Sequence, residues 1–205
     1  MRISVFLVSV LLTCAASASF ANPLILAPTG TTLGTGQFRA EAAFSPNNDE
    51  GRYFWFGAGL AQVEANVIRR DMPGAEAENL FGLQWNFLPE TFATPALAFG
   101  GTDLASESGE GIGVYVAATK KLGLSKYVPF VKQVSGTIGI GAGGIRGPFA
   151  SLEAKLPLRL FVQGEYDSRN LNAAVGWQPA KMFRVKAYGI DGDLYLGAEL
   201  LPISF

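Results

Sequence analysis

From Gln37 onward the chain alternates apolar and polar positions with a period of two. In Gln37–Phe44 one face carries Phe38, Ala40, Ala42 and Phe44, and the other Gln37, Arg39 and Glu41. In residues 170–178 one face is Leu171, Ala173, Val175 and Trp177, and the other Asn170, Asn172, Ala174, Gly176 and Gln178. Successive side chains of a strand point to opposite sides, so this is the pattern of a sheet that is polar on one side and greasy on the other. Turn signals cut the chain into twelve segments of strand length: 37–44, 53–61, 63–71, 79–88, 95–104, 113–121, 134–143, 149–156, 158–167, 170–178, 182–190 and 193–201. The breaks hold Ser45-Pro46-Asn47-Asn48, Pro73-Gly74, Pro89, Gly109, Gly143-Gly144, Gly147-Pro148, Pro157, Asp167-Ser168-Arg169-Asn170, Pro179 and Asp191-Gly192-Asp193, residues that favour turns for known steric reasons. Asp-Gly between alternating segments is a hairpin signal. Connections this short force antiparallel neighbours.

The apolar face collects Phe54, Phe56, Phe81, Leu83, Trp85, Phe87, Val114, Ile138, Leu152 and Leu196, and the polar face Glu64, Gln84, Asn86, Glu153, Gln163 and Arg184. A soluble barrel would turn the apolar face inward, and a membrane barrel outward. Three features favour the membrane arrangement. The polar face is mixed with small residues such as Gly82, Gly139 and Gly176, which suits a narrow, crowded lumen. With a periplasmic N-terminus, Phe44, Phe54 and Phe56 fall at the outer rim, and Trp85, Phe87, Trp177, Phe183 and Phe205 at the inner rim, as two interfacial girdles. An even strand count returns the chain to the side from which it started, and Phe205 resembles the terminal aromatic that barrel-assembly machinery reads. The expected architecture is an all-β, antiparallel up-and-down transmembrane β-barrel of about twelve strands. About fifteen residues per strand and connection leave no room for a plug, a second domain or long loops; the longest non-strand stretch is expected at 122–133.

Composition agrees. Hydrophobic residues make up 49% and charged residues 16%, against about 25% charged in a typical soluble domain. Arg2, the apolar run 3–12 and the small residues ending at Ala21 form a secretory leader. The run is shorter than the roughly 20 apolar residues of a membrane-spanning helix. The expected layout is a leader over 1–21, a lead-in segment over 22–36 and the barrel over 37–205. Cys14 is the one cysteine and lies in the leader, so no disulfide or thiolate chemistry is expected. Lys and Arg number 16 against 17 Asp and Glu, which gives no basic stripe for nucleic acid.

Histidine is absent. Ser-His and Cys-His nucleophilic catalysis therefore have no base, and zinc loses its usual ligands; no catalytic residue, metal or cofactor is expected. Residues 139–144 fit the spacing G-x-G-x-x-G, but a dinucleotide site needs a helix to begin there, and another alternating segment follows instead. Glu165 and Asp167 stand two apart on one face. On that polar face Arg39, Arg70, Lys155, Arg159, Arg184 and Lys186 nearly balance Glu41, Glu64, Glu153, Glu165, Asp167 and Glu199. Near-equal numbers favour cross-strand ion pairs filling a lumen, with solute selection as a second role. Asp191-Gly192-Asp193 reads as a tight turn rather than a calcium site.

Three stretches resemble one family of exported barrels: Leu88-Pro89-Glu90 running into Thr94-Pro95-Ala96-Leu97-Ala98-Phe99-Gly100-Gly101-Thr102-Asp103-Leu104; Val114-Tyr115-Val116-Ala117-Ala118-Thr119-Lys120-Lys121-Leu122; and Glu165-Tyr166-Asp167-Ser168-Arg169-Asn170-Leu171-Asn172. They are similar to the YjbH-like outer-membrane proteins associated with exopolysaccharide production. The resemblance implies a non-enzymatic outer-membrane barrel, a narrow channel or an accessory in exopolysaccharide export. Its partners would be outer-membrane lipid, the assembly machinery and polysaccharide-export proteins; the family supplies no catalytic residues. The rival from another class is a soluble periplasmic β-barrel binding an apolar ligand.

Overall fold

A computed structural model describes residues 25–47, 51–71 and 76–204. Residues 1–21, expected to be a leader and holding Cys14, residues 22–24 of the expected lead-in, Asn48, Pro73-Gly74 and Phe205 lie outside these. Twelve antiparallel strands form the molecule: β1 (Gln37–Phe44), β2 (Arg52–Leu60), β3 (Val63–Asp71), β4 (Glu78–Leu88), β5 (Ala96–Thr102), β6 (Gly113–Gly123), β7 (Gln133–Gly143), β8 (Gly147–Lys155), β9 (Leu160–Tyr166), β10 (Leu171–Ala180), β11 (Phe183–Ile190) and β12 (Asp193–Ser204). Each pairs with its sequence neighbours, and β1 pairs with β12 to close the barrel. No sheet edge remains, which is how such a sheet satisfies all its backbone groups.

Local chemistry explains the turns. At the β11–β12 hairpin Asp191 and Gly192 have φ of 51° and 86°, the doubly positive pair of a two-residue turn that matches strand twist. The β2–β3 hairpin uses Ala61 and Gln62 at φ 49° and 68°, without a glycine to ease the left-handed backbone. Between β8 and β9, Pro157 opens a single 3-10 turn, and Leu158 and Arg159 take φ of 56° and 62°. Strand β9 therefore begins at Leu160, not at 158. Near the end of β12 the register slips between Phe38 and Ala40 opposite residues 200–203; this bulge absorbs Pro202, which cannot donate to the ladder. The longest described connection is 103–112, between β5 and β6; β6 and β7 each extend into the stretch expected to be longest and shorten it to 124–132.

The apolar face points outward. Trp85 is 53% exposed while Arg39 and Glu199 are at 0%, the reverse of a soluble barrel's sorting. Phe44 stacks edge-on against Phe54 at 5.4 Å near the end of the barrel that carries the β1–β2 connection. Trp85 and Phe87 lie 5.8 Å apart at the other end, where Trp177 pairs with Leu160 and Phe183 opens β11. Phe56 departs from the expected rim position: it sits in mid-strand, opposite Ala40 and Val67.

The inward face is not only polar. Tyr53, Trp55, Tyr115, Phe149, Phe161, Tyr188 and Tyr195 are all buried inside. Several lie flat against a glycine of the neighbouring strand. Phe161 covers its cross-strand partner Gly176, where even a Cβ would meet the ring. The crowded lumen thus arises from rings folded over glycines, a packing device seen where strands curve sharply.

Candidate functional site

A charge cluster occupies one wall of the lumen, on β11, β12, β1 and β8. Arg39 reaches Glu41 at 2.6 Å and Glu199 at 2.7 Å; Lys186 reaches Glu41 at 2.8 Å and Glu199 at 2.9 Å. Arg184 lies 3.1 Å from Glu153 and 3.8 Å from Glu199, and Gln163 donates to Glu153 at 2.6 Å. The Tyr188 hydroxyl bonds Glu41. Two guanidinium groups also lie over rings: Arg39 over Trp55 at 4.7 Å and Arg184 over Phe161 at 4.5 Å. Charges this deeply buried survive because each stands within ion-pair distance of an opposite charge.

Two other buried carboxylates, Glu64 on β3 and Glu165 on β9, are held differently. Glu64 and Glu165 are buried but make no ion pair among the described residues. Backbone N–H groups of the lead-in segment take the place of cations. The Glu165 carboxylate accepts from the N–H of Ile25 (3.0 Å), Leu26 (2.8 Å) and Ala27 (3.1 Å), and Glu64 accepts from Leu33 N–H at 2.8 Å. Gly30 N–H donates to Thr119 Oγ1 at 2.7 Å. Gln84 donates to the Thr31 carbonyl at 2.9 Å, Asn86 to the Gly30 carbonyl, and Tyr53 to the Ile25 carbonyl at 3.3 Å. Residues 25–33 are almost wholly buried.

This corrects the expectation that the chain has no room for a plug. The lead-in turns into the lumen at Gly36, whose N–H bonds Gly59, and crosses to β4 and β6. It then rises to Glu165, one residue from the far end of β9. Gly30 makes the close approach possible: a Cβ there would stand 2.5 Å from the Ala96 carbonyl oxygen and 2.7 Å from Thr119 N.

Above the segment lies a cavity of about 430 Å³, floored by residues 26–29 and rimmed by the strand connections. Acidic groups dominate its rim, with Arg70 held by Glu78 at 2.6 Å and Arg169 held by Glu110. Asp103, just past β5, belongs to this rim. Burial alone would raise its pKa. The Ser108 hydroxyl (2.5 Å) and the N–H groups of Glu107 (2.9 Å) and Ser108 (3.0 Å) outweigh that and hold the carboxyl below its ordinary value.

Of the charged residues expected in the lumen, Arg39, Glu41, Glu64, Glu153, Glu165, Arg184, Lys186 and Glu199 are buried inside the barrel. Arg70 sits in the cavity rim, and Lys155 is half-exposed, 4.0 Å from Glu153. Two positions need correction. Arg159 lies on the exposed 3-10 turn and donates to the Pro179 carbonyl, because Pro157 delays the strand. Asp167 lies past the end of β9, where its carboxylate accepts from the N–H of Arg169 and Asn170 in a turn, so it does not share a strand with Glu165. Thr119 escaped the sequence reading; a lone inward hydroxyl in an alternating strand carries no signal of what it bonds.

No family's sequence profile matches the chain, and no curated protein matches it. Among solved structures it is similar to a KdgM porin, at 9% identity and a TM-score of 0.53 over 82% of this chain and 99% of that one. At that identity the likeness shows shared architecture: the chain has the closed twelve-strand antiparallel barrel fold of a porin.

Proposed function

We propose that the protein is an exported, non-enzymatic outer-membrane barrel: a narrow channel closed at rest by its own residues 25–36, acting in exopolysaccharide production. The observation that carries the channel reading is the lead-in segment hydrogen-bonded across a charged lumen inside an apolar exterior. An apolar belt ending in aromatic rings matches a lipid bilayer's core and interfaces, and the porin-like fold is consistent with it. The polysaccharide setting is supported by the sequence resemblance of residues 88–104, 114–122 and 165–172. In this reading residues 1–21 are removed on export, and Phe205 serves recognition by the assembly machinery. Polysaccharide-export proteins are the expected partners.

Two recordings test the channel. The detergent-folded protein should run faster unboiled than boiled on a denaturing gel, and in a planar bilayer it should be mostly closed. Gly30→Val, which drives the lead-in off the β5–β6 wall, should open it in discrete steps. A variant as silent as the parent, with the gel shift intact, would refute the plugged-channel reading. Removal of the gene should lower secreted polysaccharide; unchanged secretion would refute that part alone.

A further inference from the structure

The exterior is not uniformly smooth. On the β11–β12–β1–β2 face a groove of about 430 Å³ opens outward. Its floor is low because Ala42 and Ala198 face each other across the β1–β12 pair. Phe54 and Phe56 of β2 form one wall, and Leu200 of β12 with its partner Phe183 of β11 the other. At the end towards the β1–β2 connection the groove meets Arg69, an outward-facing and exposed residue of β3. The cross-strand neighbours of Arg69 are Phe54 and Asn79, the latter accepting a hydrogen bond at 3.2 Å. Asp71, two residues along the same face, stands instead opposite Arg52. Arg69 is thus a guanidinium on the outer side of the barrel with no acid across from it.

We propose that this groove binds one anionic phospholipid, with an acyl chain between the phenylalanine walls and the phosphate on Arg69. The inference rests on the membrane reading above. An arginine on the lipid side is tolerated where it can reach headgroup level, and its planar donors match a phosphate. Phe183, Leu200, Ala40, Phe56 and Val67 stand on one rung and Ala198, Ala42, Phe54 and Arg69 on the next, so the groove crosses the tilted strands from β11 towards β3 and Arg69 lies at its end. A second copy of the chain is a poorer occupant: a two-fold contact over this patch would bring two Arg69 side chains together in an apolar setting.

The test is native mass spectrometry of the detergent-folded protein, titrated with dioleoyl-phosphatidylglycerol or with dioleoyl-phosphatidylcholine, which share acyl chains. One phosphatidylglycerol should be retained about five-fold better, the factor that one cation near a membrane surface supplies. Arg69→Gln should abolish the preference. Ala198→Leu should fill the groove and lower retention of both lipids. Arg146→Gln, on an exposed connection, should leave the preference intact. Equal retention of the two lipids, a preference that survives Arg69→Gln, or a protein dimer in place of the lipid adduct would overturn the proposal. The gel shift of the same sample separates the two readings: no shift removes the membrane barrel and this site together, whereas a shift without preference removes only the site.

Discussion

Glu165 holds the top of the lead-in segment, and its replacement by alanine should release it. Three backbone N–H groups lose their acceptor in this change. A hydrogen bond to a charged group contributes about 1.5–3 kcal/mol. Water from the cavity above can reach part of the freed backbone, so a net loss of about 3 kcal/mol is a fair working figure. At about 1.4 kcal/mol per factor of ten, the withdrawn state should become roughly 150 times more populated. Withdrawal can be read chemically. Cys14 is the one cysteine in the sequence, so with Cys14→Ser a single cysteine placed in the lead-in is a clean reporter. Thr31→Cys is close in size and sits at a position only 3% exposed. A membrane-impermeant maleimide should label it slowly in the parent and about two orders of magnitude faster with Glu165→Ala. Glu165→Gln, which keeps an acceptor oxygen but loses the charge, should fall between. Equal labelling rates in parent and Glu165→Ala, with the barrel still folded by gel shift, would refute the idea that this carboxylate latches the segment.

Three further outcomes follow from the same geometry. Glu199→Ala leaves Arg39 and Lys186, whose side chains are at 0% exposure, two cations sharing the single carboxylate of Glu41; urea unfolding in lipid should show a loss of about 3–5 kcal/mol, and a loss below about 1 kcal/mol would contradict the pairing. Gln62→Gly relieves a left-handed residue at φ 68° in the β2–β3 turn and should raise stability by about 0.5–1 kcal/mol; an unchanged urea midpoint would show that the turn is not strained. Because the Asp103 carboxyl lies below its ordinary pKa in the folded protein, its contribution is present above the unfolded value of about 4 and is lost as pH falls through the folded one. Protease nicking within 103–112 should therefore rise below about pH 4 in the parent, while Asp103→Asn should be nicked readily at neutral pH as well.

The strands were legible because a sheet with one wet and one greasy side writes its period into every segment. Leu171, Ala173, Val175 and Trp177 could hardly be read otherwise. Positions with two apolar faces hid more. In Tyr53-Phe54-Trp55-Phe56 the sequence is aromatic throughout, so nothing distinguished the rings that fill the lumen from those that face outward. The lead-in was invisible for a different reason. Its residues 25–33 have no period, and their partners are up to 140 positions away in the chain. One clue was available in principle: the near-balance of charge on the polar face concealed two carboxylates, Glu64 and Glu165, that pair with no cation among the described residues. Arg159 was misplaced because two consecutive left-handed residues after a proline leave no mark in an alternation count.

The ladder between β1 and β12 joins the two ends of the barrel sequence, and the charge cluster straddles it. Arg39 and Glu41 are on one side; Glu199 on β12 and Lys186 on β11 are on the other. Until the last strands are synthesised, Arg39 has lost its cross-seam partner and faces a half-built wall. A chain cut short before β12 lacks Glu199, the acid that Arg39 reaches across the seam, and leaves Arg39 with Glu41 of its own strand alone. Closing the seam therefore gives Arg39 a second acid, Glu199, and Glu41 a second cation, Lys186, so the last two strands bring charges that match the first strand as well as backbone groups that pair with it.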